Sequence, residues 1–209
     1  MNIMRNARAR LLRLLAEKSF RLGNFTLSSG GTSDYYIDCR LTTLDAAGAV
    51  ATGELVLEEI HGRKWQADAI GGLTMGADPI VVATSVISAQ LGTPINGFLV
   101  RKSEKTHGTG QRIEGFGEKG AHVVIVDDVC TTGASTIQAI EAAREFGFHI
   151  SGVLCLVERE EAGGRANVEI AAAPARFVAL FTANDVRAEH TALENDRSSR
   201  ARMMAQGQG

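Results

Sequence analysis

Short apolar runs that alternate with small-residue turns and helical segments constrain the fold of this chain more than any other feature. We predict five strands from these runs, at 69–71, 96–100, 122–126, 150–157 and 176–181. Helical periodicity follows the first run at Asp78–Gln90 and the third at 135–146. Strands that alternate with helices predict an α/β fold, with a central, mostly parallel β-sheet flanked by helices on both faces.

The part of the chain before this repeated unit predicts a smaller, less regular segment. Its elements are an amphipathic helix, a turn-rich stretch, a short strand and a second helix, at 5–18, 23–31, 35–38 and 46–60. We divide the chain into an N-terminal segment, a core domain and a flexible tail, at 1–45, 46–195 and 196–209. The tail is polar and contains glycine, and we expect it to fray.

The N-terminal helix has two interpretations. Its arginines, without an acid before Glu17, fit a transit peptide. We favour a surface helix whose leucines face the core, these being Leu11, Leu12, Leu14 and Leu15.

Composition excludes several classes of protein. The chain has 44% hydrophobic and 22% charged residues, so it can bury a core. A net charge of −2 argues against a general nucleic-acid binder, and no apolar run is long enough to span a bilayer. Three widely spaced cysteines argue against a disulfide scaffold or a cysteine zinc site, and they favour a reducing cytoplasm.

The stretch VVIVDDVCTTGAST, at 123–136, joins an apolar strand to two acids and a small, hydroxylated turn. Backbone N–H groups at such a strand-to-helix turn can bind phosphate. The turn has no lysine of a Walker loop and no G-x-G-x-x-G, so a triphosphate is disfavoured. Asp127 and Asp128 can accept hydrogen bonds from sugar hydroxyls, and a sugar with one phosphate would satisfy both halves. The alternative is a capped helix beside two solvated acids.

Two further segments carry unusual charge. The loop RKSEKTHGTGQRIEG, at 101–115, is either a solvated surface or a mobile cationic lid. Arg159, in LVEREEAGG, either pairs with Glu158 or Glu160 or binds a planar carboxylate with its guanidinium. In an open parallel sheet the segments 71–76, 101–115 and 127–135 all fall at the carboxyl ends of strands, where ligands bind.

These motifs resemble those of a known family. VVIVDDVCTTGAS is similar to the ribose-phosphate signature of type I phosphoribosyltransferases. R-K-x-x-K-x-H-G closely resembles the catalytic loop of orotate phosphoribosyltransferases. FTLSSGGTSDYYIDCR, at 25–40, is similar to the hood segment that covers the base, and LVEREEAGG to the strand end whose arginine binds the orotate carboxylate. The resemblance covers about 25–164 and implies the type I phosphoribosyltransferase fold, with a small N-terminal hood within 1–45.

The resemblance also implies a reaction and a set of site residues. The enzyme would transfer ribose 5-phosphate from phosphoribosyl diphosphate to orotate, giving orotidine 5′-monophosphate and diphosphate for UMP biosynthesis. The implied catalytic residues are Arg101, Lys102, Lys105 and His107. Phosphoribosyl diphosphate would be bound by these four and by Asp127, Asp128, Val129, Cys130, Thr131, Thr132, Gly133, Ala134 and Ser135. Orotate would be bound by Thr131 and Arg159.

The implied cofactor is Mg²⁺, carried by the substrate and without a direct protein ligand. The implied assembly is a homodimer in which the loop 101–115 reaches the neighbouring subunit's site, with no nucleic acid or membrane as a partner. His107 could protonate the leaving diphosphate. Cys130 follows two acids, which we expect to raise its pKa, so we interpret it as a spacer rather than a nucleophile.

Two positions depart from the family pattern, and two competing functions stay open. Some family members have a lysine where this chain has Ser28, and some have one near Met75, so the diphosphate site would depend more on the mobile loop. A purine phosphoribosyltransferase is opposed by Arg159 and by the cationic loop. A regulator that binds the sugar phosphate without chemistry is opposed by the presence of that loop.

Overall fold

The computed structural model describes residues 6–26, 31–103 and 112–206. The strands in this part are β1 (Phe20–Thr26), β2 (Thr32–Ile37), β3 (Ala69–Leu73), β4 (Asn96–Val100), β5 (Ile113–Gly115), β6 (His122–Cys130), β7 (His149–Glu158) and β8 (Arg176–Thr182). The α-helices are α1 (Ala7–Leu14), α2 (Arg40–Thr43), α3 (Ala46–Gly62), α4 (Asp78–Gln90), α5 (Ala134–Phe146), α6 (Gly164–Ala172) and α7 (Ala183–Gln206).

A central sheet organises the molecule. Among the described residues it has the strand order β5-β4-β3-β6-β7-β8. The neighbours from β4 to β8 pair in parallel, and β5 pairs antiparallel to β4 at the edge. The predicted α/β fold with a mostly parallel sheet is therefore confirmed. The edge strand β5 lies in the stretch for which the sequence indicated only a polar loop.

The sheet has a hydrophobic core on each face, as a doubly covered parallel sheet requires. One core combines residues of α1, α3, α4 and α7 with sheet residues such as Val124 and Leu154. The other combines α5 and α6 with Val123 and Ile125. Alternate residues of β6 thus enter opposite cores, and the β-branched run at 123–126 is fully buried for this reason.

Three elements differ from the sequence prediction. Strand β6 continues through Asp127 and Asp128 to Cys130, because β7 remains paired with it as far as Glu158. Helix α6 was not predicted. Helix α7 extends through Gln206, where the sequence indicated a frayed end, and it carries helical ion pairs such as Arg197 with Glu194. The flexibility of the tail and the three-part division of the chain stay predictions.

The N-terminal part forms a two-stranded antiparallel hairpin, β1 with β2, which we call the hood hairpin. The predicted N-terminal helix is confirmed as α1, followed by a wider helical turn at Leu15–Ser19. Leu11 and Leu15 are buried, while Leu12 and Leu14 are partly buried.

Helix α7 holds the hood hairpin from outside. Its Arg187 donates two hydrogen bonds to the Asp34 carboxylate of β2, at 2.9 and 2.7 Å. One turn further, His190 Nδ1 lies 2.9 Å from the Ala16 carbonyl oxygen. The first and last helical segments of the chain therefore pack on the same side of the hood hairpin. No helix in the described part of the chain is long and apolar enough to cross a membrane.

Strands β3 and β6 pack closely at Gly72, and this predicts that a larger residue there lowers the stability of the fold. A Cβ added there would lie 2.0 Å from the Val126 carbonyl oxygen, and backbone cannot rotate away as a side chain can. We expect Gly72→Ala to lower the free energy of unfolding by about 2 to 3 kcal/mol in urea denaturation. The control is Gly62→Ala, at the end of α3, where an added Cβ meets nothing within 4 Å. Equal midpoints for the two variants would contradict the close strand approach.

Candidate active site

Asp127 and Asp128 lie at the end of β6, on the floor of a cavity of about 740 Å³. This volume suits a small-molecule ligand. Thr136 of α5 donates a hydrogen bond of 2.6 Å to Asp127 Oδ2, and the Asp128 N–H donates one of 3.0 Å to Asp127 Oδ1. The Val129 N–H donates to Asp128 Oδ1 at 2.9 Å. Both carboxyl groups are thus held by neighbours, and each keeps an oxygen or lone pair for a ligand.

Burial makes these two acids weak. Removal from water raises the pKa of Asp127 to about 7, with a further contribution from the charge of Asp128. Burial also raises the pKa of Asp128, although the Val129 N–H and the charge of Arg40 oppose the increase. Near neutral pH, Asp127 therefore changes between a hydrogen-bond donor and a pure acceptor.

The turn after β6 leads directly into α5 and faces the same cavity. Thr131, Thr132 and Ser135 line it. Gly133 is the residue before α5 and has a φ of 81°, a left-handed conformation that glycine adopts without strain. No side chain caps the helix start. The first N–H groups of α5, beginning at the exposed Ala134, are therefore available to an anion.

The ends of β3 and β4 complete the floor of the cavity. Thr74, Met75 and Gly76 follow β3 and line it, and a Cβ on Gly76 would come within 2.5 Å of Asp128 Oδ1. Lys102 follows β4 and also lines it. Each of the segments 71–76, 101–115 and 127–135, which we expected to meet at this edge of the sheet, contributes described residues to the cavity, although Lys102 is the one described residue of 101–115 that does so.

Of the other predicted catalytic residues, Arg101 lies in the described part of the chain and does not line the cavity. Arg101 lies at the exposed edge, where its Nη1 is 3.2 Å from Glu114 Oε1. Lys105 and His107 lie outside the described residues, as does Ser28 of the hood segment.

Arg159 borders the cavity on the side of the hood hairpin. It is the first residue after β7, and its N–H donates to the Cys130 carbonyl at 2.9 Å, which fixes it beside the end of β6. Its side chain is 8% exposed. Its ion pair is with Glu161 and not with Glu158 or Glu160, the two partners that the sequence suggested.

Cys130 turns away from the ligand side, and one expectation about it was wrong. It belongs to the core beneath α5 and α6. The hydrogen bond shared with the Cys155 thiol lowers the pKa of Cys130 from its ordinary value, although burial and the charges of Asp127 and Glu158 act in the opposite direction. The acids raise the pKa as expected, but sequence reasoning could not place Cys155 next to it. Val129, by contrast, lines the cavity.

Several lining residues were not singled out from the sequence. Tyr36, Ile37 and Asp38 come from β2 and the residue after it, and Arg40 from α2. Arg40 donates to both oxygens of Asp38, from Nε at 2.8 Å and from Nη2 at 2.9 Å. An acid two residues before an arginine, directly after a strand, is a local signal that could have indicated this pair.

The cavity lining has balanced charge. Among the described residues it contains three acids, Asp38, Asp127 and Asp128, and three cations, Arg40, Lys102 and Arg159. The arrangement is therefore polar at the floor, anion-binding at the α5 turn, and cationic at the wall formed by Arg159. A ligand with hydroxyls, a phosphate and a separate carboxylate would meet a partner at each of these positions.

Comparisons with known proteins agree with this geometry. The family model described as "Phosphoribosyl transferase domain" matches residues 44–169. An orotate phosphoribosyltransferase of Aquifex aeolicus is 41% identical over 165 residues, which cover 78% of this chain and 88% of that protein.

Two solved structures of Mycobacterium tuberculosis orotate phosphoribosyltransferase are also similar. The complex with Fe(III) dicitrate has a TM-score of 0.75 and 36% identity, covering 86% of this chain and 98% of the other. The complex with 5-phospho-alpha-D-ribosyl 1-diphosphate has a TM-score of 0.68 and 29% identity, covering 86% and 91%. With its motifs, fold and relatives in agreement, this chain belongs to the phosphoribosyltransferase family and, within it, to the orotate phosphoribosyltransferases.

Proposed function

We propose that this protein transfers the ribose 5-phosphate group from phosphoribosyl diphosphate to N1 of orotate. The C1–O bond to diphosphate breaks and a C1–N1 bond forms, giving orotidine 5′-monophosphate and free diphosphate in UMP biosynthesis. One observation carries the proposal: the buried Asp127, its neighbour Asp128 and an anion-binding helix start share a cavity with a buried arginine. This combination matches a sugar phosphate and a carboxylated base at the same time.

We propose that the sugar phosphate occupies the floor of the cavity. Asp127 and Asp128 would accept hydrogen bonds from the ribose hydroxyls, as acids do in dinucleotide sites. The turn 131–135 would bind the 5′-phosphate through backbone N–H groups and hydroxyls. Val129 and Cys130 would contribute main chain only, since the Cys130 side chain enters the core.

The base would lie between the sugar and the hood hairpin. Arg159 would bind the orotate carboxylate and Thr131 would contact the base, and both residues line the cavity. An arginine fits this role because its planar donors match a planar carboxylate. Uracil, hypoxanthine and adenine have no carboxylate, so none of them would add a charged partner to the one that Arg159 has in Glu161.

The leaving diphosphate needs more positive charge than the described lining supplies, because the three cations there only balance three acids. We propose that Lys102, Lys105, Arg101 and His107 of the loop 101–115 stabilise the charge that develops as the C1–O bond breaks. The reaction would need no protein nucleophile, since the sugar passes through an oxocarbenium-like state.

Mg²⁺ is the second proposed source of positive charge. No group of three or more His, Cys, Asp or Glu side chains able to hold a metal occurs in the described part of the chain. We propose that the cation arrives on the diphosphate and ribose oxygens and keeps several waters, as Mg²⁺ prefers. Bound there, it would neutralise diphosphate charge, while Asp127 and Asp128 offer oxygens on the ribose side.

We propose that the enzyme is a cytoplasmic homodimer whose subunits share the loop 101–115. The three cysteines are free and buried, which suits a reducing compartment. An exposed apolar face formed by α3, α4 and the residue after α2 supports the dimer: Leu44 is 72% exposed, Val82 60% and Val86 50%. Met75, between β3 and α4, lines the cavity and is 60% exposed. A second copy seated on the apolar face would cover α4, the helix that follows Met75.

The substrate assignment predicts a clear preference in a direct assay. Purified protein with phosphoribosyl diphosphate and Mg²⁺ should consume orotate and release diphosphate. Hypoxanthine, adenine and uracil, tested in parallel, should react at least about a hundredfold more slowly, since a site that pairs a buried charge rejects ligands without the partner. Binding of phosphoribosyl diphosphate without turnover of orotate would instead favour a regulator or another base.

The raised pKa of Asp127 predicts an unusual pH dependence of stability. Between pH 3.8 and about 7 the folded protein keeps a proton that the unfolded chain releases. The ligand-free protein therefore loses stability as pH rises through this window, and the loss is complete above it. Asp127→Asn should flatten the profile and raise the free energy of unfolding at pH 8 by up to about 4 kcal/mol, while abolishing turnover.

Urea denaturation from pH 5 to pH 8 measures this effect. The control is Asp196→Asn, which changes an exposed acid of α7 and should leave the pH profile as it is. A parallel profile for Asp127→Asn and the unaltered protein would contradict the buried, weakened acid.

Sharing of the loop 101–115 between subunits predicts that mixing two inactive variants restores activity. Lys105→Ala removes a loop cation, and Asp127→Asn removes a floor acid. In a mixed dimer one site would combine the intact floor of the first subunit with the intact loop of the second. Statistical mixing should therefore restore about a quarter of the normal rate. Val82→Asp in both chains should prevent this recovery, and no recovery without Val82→Asp would mean that each loop serves its own subunit.

A further inference from the structure

Arg159 donates most of its hydrogen bonds to other residues of the protein. Its Nε donates to the Tyr35 hydroxyl at 3.1 Å and lies 3.3 Å from Glu161 Oε1. Its Nη2 donates to Ser33 Oγ at 3.0 Å and to Glu161 Oε1 at 3.2 Å. Two of the three guanidinium nitrogens are therefore occupied before any substrate binds.

The third nitrogen, Nη1, takes part in none of these hydrogen bonds among the described residues. Of this group of four side chains, Arg159 lines the cavity, whereas Ser33, Tyr35 and Glu161 do not. The guanidinium is planar and rigid. Fixing Nε and Nη2 on the side away from the cavity therefore fixes the direction in which Nη1 points.

Glu161 is the centre of this arrangement. Its Oε1 accepts hydrogen bonds from both Arg159 nitrogens and from the Tyr35 hydroxyl. Partial burial raises the pKa of Glu161, but the hydrogen bond from Tyr35 and the charge of Arg159 outweigh burial and lower it, so the group is ionised at neutral pH. Burial and the hydrogen bond to Glu161 raise the pKa of Tyr35 to about 12, so its hydroxyl keeps the proton that it donates.

The aromatic ring of Tyr35 adds a second restraint. The Arg159 guanidinium carbon lies 4.5 Å from the ring centroid, and that of Arg187 lies 4.8 Å from it. The Phe20 ring stacks on Tyr35 with centroids 5.5 Å apart. Contacts from β1 and α7 thus restrain the Tyr35 side chain, and the restrained ring limits the positions that Arg159 can adopt.

We propose that Glu161 is a positioning residue for base recognition: its carboxylate holds Arg159 so that Nη1 is directed at the carboxylate of the base. This inference rests on the proposed function and adds a residue to it. Without Glu161 the guanidinium could rotate toward the cavity acids or solvent. Substrate binding would then carry the entropic cost of ordering it. The effect should appear in orotate binding and not in the chemical step.

Steady-state kinetics with Glu161→Gln and Glu161→Ala test the proposal. We expect Glu161→Ala to raise the KM for orotate about tenfold, the scale of a hydrogen bond to a charged group. The amide of Glu161→Gln keeps an acceptor oxygen and should raise it less. The KM for phosphoribosyl diphosphate and the kcat at saturation should change less than about twofold. Glu161 is 55% exposed, so neither variant should impair folding.

The adjacent acid offers a matched control. Glu160 accepts a hydrogen bond from Asn184 at 3.1 Å, and the carboxylate paired with Arg159 is that of Glu161 instead. Glu160→Ala removes the same charge one residue away and should leave the KM for orotate unchanged. Tyr35→Phe removes one of the three bonds to Glu161 and should give a smaller increase than Glu161→Ala.

A double-mutant cycle decides whether Glu161 acts through Arg159. In an Arg159→Ala background, Glu161→Ala should cause no additional loss in kcat/KM for orotate. An equal loss in both backgrounds would overturn the inference. So would an unchanged KM, or a lower KM, which would mean that Glu161 competes with the substrate carboxylate. Failure of the unaltered protein to use orotate would overturn the proposed function as well, and is a separate observation.

Discussion

Two adjacent carboxylates near the end of a largely buried strand are the constraint around which this protein is built. Carboxylates out of water are costly unless they are hydrogen-bonded or protonated. The structure uses both routes, with Thr136 and backbone N–H groups bonded to the pair and a proton retained by Asp127 near neutral pH. The glycine at position 76 fits this arrangement, because a Cβ there would come within 2.5 Å of Asp128 Oδ1.

The same constraint explains why the site needs several parts of the chain. Strand β6 supplies acids and an anion-binding turn, and the cations of the described lining, Arg40, Lys102 and Arg159, come from other elements. In the proposed function the base needs a cation away from the sugar, and Arg159 lies just after the parallel neighbour β7. The hood hairpin accepts hydrogen bonds from this cation through Ser33 and Tyr35. The groups proposed for the sugar and for the base therefore lie at the ends of adjacent strands, where the Arg159 N–H donates to the Cys130 carbonyl.

The sequence was most informative where local pattern and burial agree. The apolar runs located β3, β4, β6, β7 and β8, because each contains buried apolar residues and has no competing pattern. It failed at β5 and at the extended end of β6, where polar residues are held in strands by pairing with neighbours far along the chain. Helix α6 was missed because it begins at a glycine and carries a mixed pattern.

The residues of the site also divide into those that the sequence could predict and those that it could not. The acids, the turn and Arg159 could be predicted, since each belongs to a short motif with its own chemistry. The partner of Arg159 could not, because Glu158, Glu160 and Glu161 are equivalent in sequence and only the turn after β7 decides between them. The thiol pair of Cys130 and Cys155 depends likewise on the register of two strands.

The link between Arg187 and Asp34 has a consequence for the order in which this protein is completed. The hood hairpin is synthesised well before the helix that holds it. The core sheet can therefore form while the hood hairpin still lacks its hydrogen bonds to Arg187. A chain shortened before α7 would keep the cavity floor, but its hood hairpin would lack this support.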